Sequence, residues 1–214
     1  PRPERPLARS SRTIRLDQPQ VMAILNMTPD SFSGGSQHLA DPSGAAELAV
    51  DMAAAGAAII DIGGESTRPG ATTVWAEDEI KRVIPLIERL RHSGTALSLD
   101  TRKAEVMQAG LAAGAHIIND VSALLFDDRA IDAVRSSDCP VVLMHYPGKP
   151  SDPHGNDAYL DPLIEVYDWL DARIEAVVAA GIARSRIIAD PGIGFGKMTV
   201  TDNLKIINGL SLFH

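Results

Sequence analysis

A single cysteine, Cys139, stands in a chain of 214 residues, and only nine residues are aromatic. One thiol cannot build a disulfide framework. The six histidines, at 38, 92, 116, 145, 154 and 214, show no zinc-ligand spacing with it. Basic residues are outnumbered, 20 against 28 acidic ones, for a net charge of −8. That balance argues against a non-specific nucleic-acid binder. It leaves room for an anionic small molecule, which backbone amides and a few local Arg or Lys residues can hold. No apolar run approaches the ~20 residues of a membrane span. The Pro- and Arg-rich stretch Pro1–Arg12 lacks the apolar core of a secretory signal. Neither a G-x-S-x-G nucleophile elbow nor a P-loop is present. What remains is 45% hydrophobic and 22% charged, a composition that folds. A chain of this size buries about 70% of its unfolded surface. A cytoplasmic, reducing setting with no membrane and no nucleic acid is expected.

Short Val- and Ile-rich runs alternate with longer Ala-rich amphipathic stretches. Strands are expected at Val21–Met27, Ala58–Ile62, Ala96–Asp100, His116–Asp120, Val141–His145 and Arg186–Asp190. Helices are expected at Ser43–Ala55, Glu77–His92, Lys103–Ala113, Asp128–Ser136, Leu160–Ala180 and Asn203–Gly209. Asp41-Pro-Ser reads as a helix start, and Gly56, Gly114 and Gly181 fall where helices end. Nearly apolar strands between helices mean parallel strands covered by helices. A doubly wound sheet competes here with a barrel. The first strand is followed by Asn26-Met-Thr-Pro-Asp-Ser-Phe rather than G-x-G-x-x-G. Polar residues also close nearly every strand: Asn26, Asp61, Asp100, Asn119 with Asp120, His145 and Asp190. Functional groups at many strand ends mark the barrel, whose strands converge on one face. The fold class expected is therefore α/β, a (β/α)8 TIM barrel with about six βα units in this chain. Residues 16–214 form the barrel domain, and 1–15 a flexible N-terminal segment. A whole barrel takes about 250 residues, so the C-terminal part is expected to be incomplete, with the first and sixth strands as edges.

Several loops carry chemistry. After the first strand, Asn26 offers a hard oxygen suited to Mg²⁺, and Asp30 a carboxylate. Gly63-Gly-Glu-Ser-Thr-Arg-Pro-Gly lets backbone approach a ligand, with Arg68 to meet an oxyanion. Asp100, Asn119 and Asp190 together can read the donor edge of a heterocycle, since carboxylates accept and an amide does both. Met144 and Phe195 can supply apolar or stacking walls. His145 reads as a satisfied, half-buried histidine rather than a base. Lys197, closing Asp190-Pro-Gly-Ile-Gly-Phe-Gly-Lys, is equally a solvated loop residue and a ligand contact.

Five blocks occur in order: Ile24-Leu-Asn-Met-Thr-Pro-Asp-Ser-Phe-Ser, Asp61-Ile-Gly-Gly-Glu-Ser-Thr-Arg-Pro-Gly, Ser98-Leu-Asp-Thr, Ile118-Asn-Asp-Val and Asp190-Pro-Gly-Ile-Gly-Phe-Gly-Lys. In sequence and spacing they closely resemble the dihydropteroate synthase family, from about Val21 to the C-terminus. The resemblance implies a TIM barrel with a pterin site in its C-terminal mouth. It implies that the amine of p-aminobenzoate displaces pyrophosphate from 6-hydroxymethyl-7,8-dihydropterin diphosphate, with Mg²⁺ assisting. On the same resemblance Asp100, Asn119 and Asp190 read the pterin, while Val121, Met144 and Phe195 wall it. Asn26 engages Mg²⁺ and pyrophosphate. Thr67 and Arg68 lie near the diphosphate. Phe32 and Pro69 form the p-aminobenzoate pocket, and Asp30 belongs to the same substrate-binding first loop. A homodimer is implied as well. The family's usual Ser-Asp-Gly-Gly is departed from at Ser33, which is followed directly by Gly34 and Gly35. Its seventh-strand Ser-Arg-Lys and eighth-strand Arg-x-His would lie beyond His214. A methyltetrahydrofolate-type methyltransferase would share the barrel but lack the Asn-x-Thr-Pro-Asp-Ser-Phe loop. A partial barrel that only binds pterin is the third reading.

Overall fold

A computed structural model describes residues 5–6, 13–14, 18–28, 41–67, 71–147, 159–197 and 199–213. Two short strands, β1 (Arg5–Pro6) and β2 (Thr13–Ile14), pair antiparallel. The main sheet holds β3 (Met22–Asn26), β4 (Ile59–Gly63), β5 (Ala96–Asp100), β6 (Ile117–Asp120), β7 (Val141–Met144) and β8 (Ile187–Asp190). Helices follow them in turn: α1 (Pro42–Ala54), α2 (Ala76–Leu90), α3 (Ala104–Ala113), α4 (Ala130–Arg135), α5 (Pro162–Ala179) and α6 (Val200–Asn208).

The six strands are all parallel and lie in chain order, β3-β4-β5-β6-β7-β8. A doubly wound sheet reverses its strand order at a switch point; this one never does. Every crossover steps the same way. The sheet must then curl, because its other face has no helices to cover it. Ile59, Ala96, Ile117 and Val142, one from each of four neighbouring strands, are buried against one another, with Met22 and Ile188 packed beside them. Ile14 of β2 is buried in the same layer. The opposite faces of the strands pack on the helices in one large cluster that includes Ile60, Ile62, Leu97, Leu99, Ile118 and Leu143. Among the described residues β3 and β8 have no further strand partner. Ile24, on the inner face of β3, is accordingly 64% exposed.

Local chemistry sets the helix ends. Asp41 and Asp161 cap α1 and α5, each side chain accepting a backbone N–H and each followed by proline. α6 starts three residues earlier than its apolar spacing predicts. Thr199 Oγ1 accepts from Asp202 N–H and donates to the Asp202 carboxylate, which nucleates the extra turn. α4 is shorter than expected. Asp127 holds a turn there by accepting from Arg129 N–H and from Ala104 N–H, so the helix begins only at Ala130. No helix among the described residues is long and apolar enough to cross a membrane.

Candidate active site

The C-terminal ends of the strands bring the polar residues together. In register, Asn26 of β3 sits beside Gly63 of β4, Gly63 beside Asp100 of β5, and Asp100 beside Asn119 of β6. Across the sheet, Met144 of β7 pairs with Asp190 of β8. Gly63 matters because it lacks a side chain. A Cβ there would lie 2.8 Å from Asn26 Oδ1 and 3.4 Å from Asp100 Oδ2. Two hard oxygens therefore face the space over one glycine. Among the described residues no three His, Cys, Asp or Glu side chains gather as a metal cage. That donor set fits Mg²⁺, which keeps several waters and binds one or two protein oxygens plus phosphate.

The apolar wall is equally well defined. Val121, just past β6, packs with Met144 and Tyr146, and Phe195 and Trp169 close on the same cluster. Thr67 is half-buried beyond β4. Asp30, Phe32, Arg68 and Pro69 lie outside the described residues.

His145 and Lys197 are both buried. His145 is buried rather than half-buried, edge-on to Trp169 with ring centroids 5.0 Å apart. Lys197 is neither solvated nor free. Its Nζ donates to His145 Nδ1 at 3.0 Å and to the His145 carbonyl at 3.3 Å. The three glycines of the last loop, at positive φ, fold the chain back far enough to bury it. Burial, with the facing Lys197 charge, pushes His145 down to about 3, so its ring is neutral and accepts. Burial lowers Lys197 to about 8 against the pull of Asp190. At neutral pH an ammonium thus stands behind Asp190.

Sequence reasoning marked Asp61 only as a polar strand end and gave it no role at the site. It sits on the inner face of β4, 4% exposed, and its Oδ2 accepts from Asn119 Nδ2 at 3.0 Å. The signal was available: in a fully buried strand, Asp61 alternates with Ile59 and Gly63 and so shares their inward face. Glu65 was missed. One oxygen accepts from Val74 N–H at 2.9 Å, tying the two ends of the loop after β4. The other meets Arg102 Nε and Lys103 Nζ, both at 3.0 Å. Burial opposes ionisation of Glu65, yet Arg102, Val74 and Lys103 hold it below its ordinary range.

The acids of the mouth are under strain of the opposite sign. Burial first, then the charges of Asp61, Asp120, Glu79 and Glu65, push Asp100 well above the usual carboxylate range. Burial likewise raises Asp190 and Asp61. A raised acid binds its proton more tightly in the folded state. Its stabilising contribution is complete below the unfolded value of ~4 and is lost as pH rises through the folded value. Asp100→Asn removes that loss. The variant is expected to melt at a higher Tm than the parent at pH 8, with the gap closing below about pH 4. A pH series of thermal melts checks this; a lower Tm for the variant at pH 8 would contradict it.

An α/β barrel whose mouth sets alternating acceptors and one amide against an apolar wall is built to read a flat, polar heterocycle. The comparisons agree with that class. The family model described as pterin binding enzyme matches residues 22–214, and the chain belongs to this family. The dihydropteroate synthase of Escherichia coli (strain K12) is 42% identical over 205 residues, covering 94% of this chain and 71% of that protein. The solved dihydropteroate synthase of Xanthomonas albilineans with 4-aminobenzoic acid superposes with a TM-score of 0.84 at 48% identity, covering 93% of this chain and 70% of that one. The Burkholderia cenocepacia dihydropteroate synthase complexed with 7,8-dihydropteroate gives 0.82 at 43%, covering 92% and 67%.

Proposed function

We propose that this chain performs the dihydropteroate synthase reaction of folate biosynthesis. The aniline nitrogen of p-aminobenzoate attacks the methylene carbon of 6-hydroxymethyl-7,8-dihydropterin diphosphate. A C–N bond forms, the C–O bond to the diphosphate breaks with its electron pair leaving on pyrophosphate, and the nitrogen loses a proton to solvent. One observation carries this reading: Asp100, Asn119 and Asp190 stand on one inner wall beside Val121, Met144 and Phe195, with Asn26 at the adjoining strand end. Similar proteins solved with 4-aminobenzoic acid and with 7,8-dihydropteroate support the same reading.

The residues divide the work by charge. Asp100 and Asp190 accept from ring N–H and amino groups and keep the pterin electron-rich as positive charge grows on its methylene carbon. Asn119 supplies one donor and one acceptor. Val121, Met144 and Phe195 hold the ring flat and exclude water, which would otherwise compete with the amine. Thr67 and Arg68 serve the departing diphosphate, Phe32 and Pro69 form the p-aminobenzoate side, and Asp30 belongs to the same substrate-binding first loop. Asn26 and Asp100 are the oxygens that would hold Mg²⁺; bound there, the metal neutralises charge on the leaving group. The amine needs no strong base, which suits a neutral His145. A homodimer and a cytoplasmic setting belong to the same proposal, the first checked by sedimentation.

Pyrophosphate release from the pterin diphosphate, measured with and without p-aminobenzoate, tests the reaction. Release that depends on the amine is expected; none with both substrates present would defeat the reading. A narrower test concerns Asn26→Ala. Calorimetry should show the diphosphate form losing its Mg²⁺-dependent gain in affinity, by about tenfold or more. Binding of the pterin lacking the diphosphate should be unchanged. A Mg²⁺ effect that survives Asn26→Ala removes Asn26 from the metal.

A further inference from the structure

Resting on the pterin reading above, we infer that Asp61 is a positioning residue that fixes which end of the Asn119 amide the ligand meets. Asp61 has no counterpart among the groups given a role so far. It lies on the inner face of β4, almost wholly buried, in register with Ser98 of β5. The residues are 58 apart in sequence, yet Asn119 Nδ2 donates to Asp61 Oδ2 at 3.0 Å.

The logic is one of donors and acceptors. An amide has two N–H donors on one end and an acceptor oxygen on the other, and it gains little intrinsically from either orientation. An ionised carboxylate accepts only. Asp61 therefore takes an N–H end and leaves the Asn119 carbonyl, with one remaining N–H, for whatever enters the mouth. A ring presenting an N–H beside a bare ring nitrogen meets one acceptor and one donor already set. With no such partner, Asn119 would populate both orientations, and ligand binding would have to select one. The position of Asp61 also has a cost. Asp190 adds its charge to the burial of Asp61, and Asp61 is the strongest charge acting on Asp100 after burial itself. A residue kept only for stability would be better apolar here, because buried carboxylates of like charge oppose one another. Side-chain hydrogen bonds from Ser98, in register beside Asp61, and from Asn119 oppose the rise that burial brings.

The test separates orientation from charge and from folding. Asp61→Asn keeps the shape and lets the pair adopt either orientation. The exchange pair, Asp61→Asn with Asn119→Asp, keeps one carboxylate, one amide and the hydrogen bond between them, but turns only acceptors to the ligand. Calorimetry of 6-hydroxymethyl-7,8-dihydropterin diphosphate is read beside Tm for each chain. Asp61→Asn is expected to bind about tenfold more weakly, with kcat changed far less than KM and with Tm held or raised. The exchange pair is expected to keep its Tm and still lose affinity. In the free parent chain, the side-chain amide resonances of Asn119 should shift as Asp61 titrates, with Asp100, Asp190 and Lys197 present throughout; Asp61→Asn should abolish that step. Undiminished affinity in Asp61→Asn, or an exchange pair that binds like the parent, overturns the inference. So does a loss of binding that merely follows a fall in Tm. If the parent chain itself binds no pterin diphosphate, the proposed function falls together with it; if the parent binds and Asp61→Asn is indifferent, only this inference falls.

Discussion

Asp190→Asn is expected to weaken pterin binding by ~1–3 kcal/mol, or roughly 5- to 150-fold. The geometry of the last loop gives this isosteric change its size. Asp190 Oδ1 accepts from Gly192 N–H at 2.7 Å. In the variant the amide oxygen keeps that bond, because the backbone donor would otherwise be left unsatisfied. The amide NH2 then points where the second carboxylate oxygen stood. A ligand offering ring N–H and amino groups there would meet a donor instead of an acceptor. Two interactions are lost and two donors are set against each other. The ammonium of Lys197 also loses its opposing charge, so it deprotonates more readily in its buried place on His145. Calorimetry with the pterin diphosphate checks the result, and unchanged affinity would remove Asp190 from the pterin-reading set. Asp190→Ala leaves the Gly192 donor unpaired as well and should lower Tm, which the asparagine variant should not.

Gly192→Ala is expected to destabilise the chain by about 2–4 kcal/mol and to reduce pterin binding at the same time. Gly192 has φ +65°, and a Cβ there would sit 2.2 Å from the His145 carbonyl oxygen, 2.9 Å from Lys197 Nζ and 3.2 Å from Met144 Cγ. The lysine end can move; the carbonyl belongs to the chain just past β7 and cannot without disturbing the sheet. His145 N–H donates to Asp190 O in the same crossing, so displacement there pulls on Asp190 directly. Gly194→Ala is the control. Its φ is +83°, yet nothing lies within 4 Å of its Cβ. That variant carries only the left-handed strain of about 1 kcal/mol. The difference in Tm between the two variants reports the contact with His145, at about 2–4 °C per kcal/mol for a chain of this size. Equal melting temperatures would mean that the loop yields and the close approach has no structural weight.

How much of this was legible beforehand varies by the distance over which each feature is decided. β5 occupies Ala96–Asp100, as its alternating apolar residues predict. The other strands of the barrel and five of the six helices lie within two residues of their expected ends, because period, caps and glycines act over a few neighbours. The exception, α6, starts early because the Thr199 side chain hydrogen-bonds backbone before the apolar pattern begins, and Asp127 shortens α4 in the same way. The barrel itself was legible for a different reason. Polar residues at one strand end after another make sense only if those ends converge. Asp100, Asn119 and Asp190 were therefore found without knowledge of any contact.

Composition, period and motif order determined that this chain is a six-unit stretch of parallel α/β barrel and named the residues at its mouth. Only the tertiary structure decided what those residues face. Whether Asn119 meets water or Asp61 depends on two strands separated by 58 residues in sequence. Whether Lys197 is solvated or buried depends on a loop folding back 52 residues to His145. The physical reason is range. Backbone preference and hydrophobic period act between neighbours, where sequence records them. Charge, hydrogen-bond orientation and burial act across the gap between strands, and that gap exists only once the sheet has curled.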